Sequence, residues 1–144
     1  MNLAIYFALA YLTISLGEAF APPLTMSSRA DKIWEVEVRL GEETRMIAVR
    51  PGDSILTACE LSQLRHPYDC RRGNCISCAG RFTPSSSRNL ETYIVGPEGG
   101  KDPETFLCDE AKDEGFFLAC CSYPVGPGLV LELGTSGEAW KVCG

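Results

Sequence analysis

Tyr68-Asp69-Cys70-Arg71-Arg72-Gly73-Asn74-Cys75-Ile76-Ser77-Cys78-Ala79-Gly80 is the stretch on which the reading of the chain turns. Its three cysteines stand at C-x4-C-x2-C, with Cys120 as a candidate fourth far downstream, and that spacing is one of those that hold a [2Fe-2S] cluster. Each iron of such a unit is tetrahedral, with two bridging sulfides and two protein thiolates, so four cysteines suffice. A tight loop supplies three of them. Its backbone must curl round the sulfides with N–H groups inward, which favours a residue without a Cβ, and Gly73 sits in the middle of the span. Ala79 and Gly80 are small enough to let the next strand pass close by. The fourth ligand has to come from another element.

C-x-x-C alone is shared with zinc sites and redox dithiols. A zinc site usually adds a second C-x-x-C or paired histidines, and a Rieske centre needs two histidines; His66 is the only one in the chain. Zinc and disulfides remain the alternatives to the cluster.

Beyond the loop, Phe106-Leu107, Glu114-Gly115-Phe116 and Leu118-Ala119-Cys120-x-x-Tyr123-Pro124 complete a pattern that resembles the plant-type [2Fe-2S] ferredoxins of chloroplasts and cyanobacteria, from about Ile33 to Leu133. The resemblance implies an α+β fold of the β-grasp type, a mixed sheet with a packed helix and a cluster-binding loop. It implies one [2Fe-2S] cluster per chain on Cys70, Cys75, Cys78 and Cys120, the first two on the outer iron and the last two on the inner. It also implies one-electron carriage near about −400 mV. In the family an aromatic and the acids after it help dock basic reductase and photosystem surfaces; the matching positions are Phe106, Asp109 and Glu110, with Cys108 where the family has an acid.

The chain departs from the family in three places. The stretch from Cys78 to Cys120 is longer than usual, and the extra length falls at about 83–105, where Pro84-Ser85-Ser86-Ser87 and Gly96-Pro97-Glu98-Gly99-Gly100 are loop chemistry. This reads as a surface loop, either modifying partner docking or neutral, with a small strand over Leu90 to Val95. The tail lacks the family's acidic pair and carries Glu138, Trp140, Lys141 and Cys143. Thr57, Ala58 and Cys59 occupy positions that the family often charges.

The chain has 144 residues, 45% hydrophobic and 22% charged, which suits one globular domain. A formal charge of −6 argues against nucleic acid and anionic membrane, and for a partner protein with a basic docking surface. Most of that charge lies between Glu98 and Glu114. No Ser/His/Asp set, phosphate loop or nucleotide motif is present, so the reading is a monomeric carrier and not an enzyme.

Residues 1–19 read as a signal peptide. Leu3 to Leu16 is apolar and uncharged, too short to span a bilayer, and Gly17 and Ala19 suit a cut after Ala19. Residues 20–30 are hydroxyl-rich and free of acids, which is transit-peptide composition. Glu18-Ala19-Phe20-Ala21-Pro22 resembles the signal/transit junction of algae with complex plastids. The resemblance implies delivery to the chloroplast stroma, with a ferredoxin-type domain over 31–144. A secreted domain with its eight cysteines paired is the competing reading; an oxidising lumen would consume the thiolates that iron needs. A subunit permanently docked in a larger complex is another.

Within 31–144, Ile33 to Leu40 alternates with period two, Gly41-Glu42-Glu43 turns, and Arg45 to Val49 returns. Asp53 or Ser54 caps a helix from Ile55 to Leu61 whose buried face is Ile55, Ala58, Cys59 and Ser62, which makes Cys59 a core residue. His66, before a proline, reads as a surface or loop-packing residue. Ala79 to Phe82, Phe116 to Ala119 and Gly128 to Leu133 read as strands. Arg71 and Arg72 place positive charge beside a site of roughly −2, or one of them pairs with a surface acid.

Overall fold

The computed structural model describes residues 32–103 and 105–144. The signal-like and transit-like segments lie outside the described residues.

Strands β1 (Trp34–Leu40) and β2 (Glu43–Val49) form an antiparallel hairpin in which Trp34 faces Val49 and Leu40 faces Glu43. The alternation works as the sequence suggests: Val36 and Val38 point into the core at 0% exposure while Glu35 and Arg39 face out. Helix α1 (Ile55–Leu61) lies across the sheet. Its cap is Ser54, whose hydroxyl accepts from the Thr57 N–H at 3.2 Å. Ile55, Ala58 and Cys59 are buried as expected; Leu56 joins them, and Ser62 is only half-buried.

The remaining strands of the main sheet are β3 (Ala79–Phe82), β7 (Phe116–Leu118) and β9 (Val130–Leu133), giving the order β2-β1-β9-β3-β7. β9 runs parallel to β1, with Val38 beside Leu131, and antiparallel to β3. A central parallel pair flanked by antiparallel hairpins, with one helix across it, is the β-grasp arrangement. Gly80 is required by this sheet rather than by the cluster loop. A Cβ there would lie 2.6 Å from Phe117 Cζ, 2.9 Å from Leu133 Cδ2 and 3.0 Å from the Glu132 carbonyl oxygen.

The extra segment is more structured than a surface loop. Its expected single strand divides at Tyr93 into β4 (Leu90–Thr92) and β5 (Ile94–Val95). β5 folds back on β6 (Lys101–Asp102), and β4 pairs with β8 (Ser122–Pro124), the strand that follows Cys120. The division has a local cause: the Tyr93 N–H donates to the Cys121 carbonyl at 2.9 Å, and its ring stacks on Tyr123 with centroids 4.3 Å apart.

Two further helices were not legible in the sequence. α2 (Asp109–Asp113) begins inside the acidic stretch, and α3 (Ser136–Cys143) forms the tail. Thr135 anchors the start of α3, its hydroxyl donating to the Ala79 carbonyl at 3.2 Å, and Ala139 is the residue α3 buries. Among the described residues no helix is long and apolar enough to cross a membrane.

Candidate [2Fe-2S] site

The connection between α1 and β3 passes three times through left-handed backbone, at Gln63 (φ 57°) and, within the cysteine loop, at Arg71 (φ 55°) and Gly73 (φ 72°). Glycine takes this conformation freely; arginine does not. Arg71 is held there by its side chain, which pairs with the Glu60 carboxylate, donates to the Tyr68 hydroxyl and lies 4.3 Å over the Tyr68 ring. Of the two arginines beside the site, Arg71 is therefore the one paired with a surface acid. Arg72 contributes its backbone: its N–H points at Cys70 Sγ at 3.4 Å. Ser77 and Asp69 hydrogen-bond across the base of the loop.

The loop presents its thiols in two pairs. Cys70 and Cys75 are half-buried at the surface and lie close to each other. Burial pushes the Cys75 thiol up, but hydrogen bonds from Cys70 and from Ser77 outweigh it and leave its pKa below the usual value. Cys78 and Cys120 are buried beneath them and also touch. Cys120 is delivered by β7 and stands in the short 3-10 turn Ala119–Cys121. Its pKa is held down to about 3, first by the Cys121 thiol, next by the Cys78 thiol, and further by the Gly73 backbone. Cys78 and Cys121 are pushed up in turn, each chiefly because its proton bridges to Cys120 and then by burial. A thiolate with several donors aimed at it is the state in which sulfur binds iron.

This donor set fits a two-iron cluster better than a single ion. A [2Fe-2S] unit asks for two thiolates per iron, and these four free cysteines, two half-buried and two buried, supply that number. Cys59 stands apart, fully buried on α1 and pushed up to about 12 by burial and then by Glu60, a protonated core thiol.

Sequence reasoning missed two neighbours of the loop, Cys121 and Ile94. Cys121 is buried with its thiol 3.6 Å from the Leu118 carbonyl; only its adjacency to Cys120 hinted at a role. Ile94, from the extra segment, packs onto the loop so closely that a Cβ on Gly73 would lie 3.1 Å from its side chain and 3.3 Å from Cys121 Sγ. Of the two places expected for His66 it takes the loop-packing one: it is 4% exposed, with Nε2 hydrogen-bonded to the Cys78 carbonyl at 3.1 Å. Because a carbonyl only accepts, Nε2 carries the proton. Burial lowers the pKa of His66 despite that bond, which keeps the ring neutral.

Of the expected docking residues, Phe106 lies against the loop, and Asp109 and Glu110 stand further along, on α2. Phe106 is 57% exposed, and its N–H donates to the Gly73 carbonyl at 2.9 Å. Asp109 and Glu110 are exposed in the first turn of α2, with Lys112 3.0 Å from Asp109. Cys108, the departure beside them, is disulfide-bonded to Cys143 at the end of α3, while the other six cysteines are free. Full pairing of the eight cysteines does not occur.

Residues 38–125 match the family described as the 2Fe-2S iron-sulfur cluster binding domain. The chain belongs to that family, and the cofactor is one [2Fe-2S] cluster. It is 31% identical over 101 residues to Ferredoxin C 1, chloroplastic, of Arabidopsis thaliana, which covers 70% of this chain and 57% of that protein. It is 34% identical over 92 residues to Ferredoxin-2 of Leptolyngbya boryana, covering 61% of this chain and 81% of the relative. Among solved structures it is similar to pectocin M2, at 25% identity and a TM-score of 0.52, over 73% of this chain and 34% of that one. The chain thus spans little more than half of the Arabidopsis relative and about a third of pectocin M2.

Proposed function

We propose that this chain is a one-electron carrier that holds its [2Fe-2S] cluster on Cys70, Cys75, Cys78 and Cys120. The observation that carries the reading is the pairing of these thiols, one pair at the surface and one beneath it, inside a domain of the [2Fe-2S] family. When bound, such a cluster accepts and gives up a single electron. The chain's own residues do the rest. Cys78 and Cys120 bury the inner side; Cys70 and Cys75 bring the outer side to the surface. The Arg72 N–H points at the Cys70 sulfur, and a donor of this kind favours the reduced state.

Exposed Phe106 offers an aromatic contact beside the cluster loop, and Asp109 and Glu110 offer negative charge on the helix that follows. That combination suits a redox partner with a basic face, of the reductase or photosystem type. Chloroplastic relatives support a plastid location, reached through the signal and transit segments read in 1–30. The iron–sulfur domain and the ferredoxin relatives favour carriage over catalysis. Permanent docking in a larger complex is the second reading, favoured by Trp140 standing 55% exposed on α3.

The ligand assignment is tested by iron content after anaerobic reconstitution. Cys75→Ser abolishes the assembled cluster and Cys59→Ser leaves it intact. Loss of the cluster in Cys59→Ser, or its retention in Cys75→Ser, overturns the set.

A further inference from the structure

The Cys108–Cys143 disulfide sits in a protein whose other six cysteines are free thiols. A compartment that keeps cluster ligands reduced does not preserve an ordinary structural disulfide; bonds found under such conditions are typically transient, catalytic or sensing. This bond is reachable, since both of its cysteines are half-exposed. It also has a polarity. The Cys108 N–H donates to Cys143 Sγ at 3.3 Å, so negative charge developing on Cys143 finds a donor already in place.

The position matters as much as the chemistry. Cys108 lies two residues beyond Phe106, whose N–H holds the Gly73 carbonyl of the cluster loop, and Leu107 between them is buried. Cys143 is the last residue of α3. Apart from the disulfide, that helix is held by buried Ala139, by half-buried Val142 packed against the core, by the Thr135 bonds to Ala79 at its start, and by a 3.9 Å ion pair between exposed Arg81 and Glu138. The disulfide ties the far end of α3 to the segment that carries the exposed aromatic.

We propose that Cys108–Cys143 is a thiol–disulfide exchange site whose substrate is a protein dithiol of the thioredoxin class. The proposal rests on the iron–sulfur reading for its reducing surroundings. The thiolate of the dithiol attacks Cys108 Sγ. The Cys108–Cys143 bond breaks, and its electron pair leaves on Cys143 Sγ beside the Cys108 N–H. The second thiol of the dithiol then attacks the mixed disulfide and expels Cys108 as a thiolate. Two electrons and two protons pass to this chain, leaving two thiols here and a disulfide on the donor. Reduction unties α3 from the Phe106 segment, and the donor's redox state thereby reaches the face next to the outer cysteines.

The test uses the cluster-loaded full chain and a thioredoxin whose resolving cysteine is replaced by serine, which traps the mixed disulfide. The expected result is a one-to-one covalent adduct mapped to Cys108, formed with the visible spectrum unchanged, and no adduct with a coloured Cys108→Ser/Cys143→Ser double variant. A coloured protein that forms no adduct, or forms one only as the colour is lost, overturns the exchange site. An adduct mapped to Cys143 overturns the assigned polarity. Colour reports the cluster and the adduct reports the disulfide, so a colourless chain defeats the iron–sulfur reading instead and is recognised as such.

Discussion

Replacing Gly73 by alanine strikes the cluster loop at the position where backbone and packing agree. The residue sits at φ 72°, where an L side chain costs roughly 1–2 kcal/mol. A Cβ there meets Ile94 Cδ1 and Cγ1 at 3.1 Å each and Cys121 Sγ at 3.3 Å. Two of these atoms belong to a side chain that can shift, so the crowding falls at the low end of overpacking costs, about 1 kcal/mol. The sum, about 2–3 kcal/mol, weighs on the closed loop but not on an opened one. If all of it is felt, cluster release quickens by about 30-fold or more, since 1.4 kcal/mol is about a factor of ten. The assay is first-order bleaching of visible absorbance under excess iron chelator, without oxygen, at 25 °C. A Gly73→Ala rate within about twofold of the parent refutes the reasoning, as does a rate at which Ile94→Ala acts identically in both backgrounds. The crowding term requires Ile94→Ala to be less damaging, or restorative, when Ala already stands at 73.

Gly80→Ala tests the sheet independently of the loop. With one of its close neighbours the backbone oxygen of Glu132, the strands themselves must move, and a loss of about 1–3 kcal/mol is expected, read as a lowered midpoint of thermal unfolding. Cys59 provides a pH signature. Its folded pKa is raised to about 12, so the native state keeps a proton that the unfolded chain releases near pH 9. That contribution is fully present below about pH 9 and is lost as pH rises toward 12, at up to about 1.4 kcal/mol per pH unit. A Cys59→Ala variant shows a shallower alkaline loss of stability than the parent, and native Cys59 resists alkylation at pH 9. Equal alkaline slopes in parent and variant contradict the buried-thiol account.

The hairpin, α1 and the strands around the loop were legible because each carries a local signal strong enough to stand alone. Val36 and Val38 alternate with charged residues, Ser54 caps a helix whose apolar positions recur at helical spacing, and the loop cysteines have a spacing few chemistries share. α3 gave no such signal. It contains Gly137 and fully buries only Ala139, with Val142 and Cys143 half-buried against the core, so its apolar face is too short to read from sequence and Thr135 and the disulfide help fix its position. The disulfide itself was unreadable, since spacing does not specify connectivity among eight cysteines. The burial of His66 and the seating of Ile94 on Gly73 are tertiary facts, set by elements far apart in sequence. The four candidate cysteines were therefore legible and their surroundings were not.

The most direct test of the central claim is a one-electron titration of the anaerobically reconstituted chain, followed by visible absorption and by EPR. The account predicts a red-brown protein with two irons and two labile sulfides per chain, and a rhombic signal that grows to one spin per chain as one electron is added. A colourless protein, or a metal-loaded one with no signal at any stage of the titration, contradicts it.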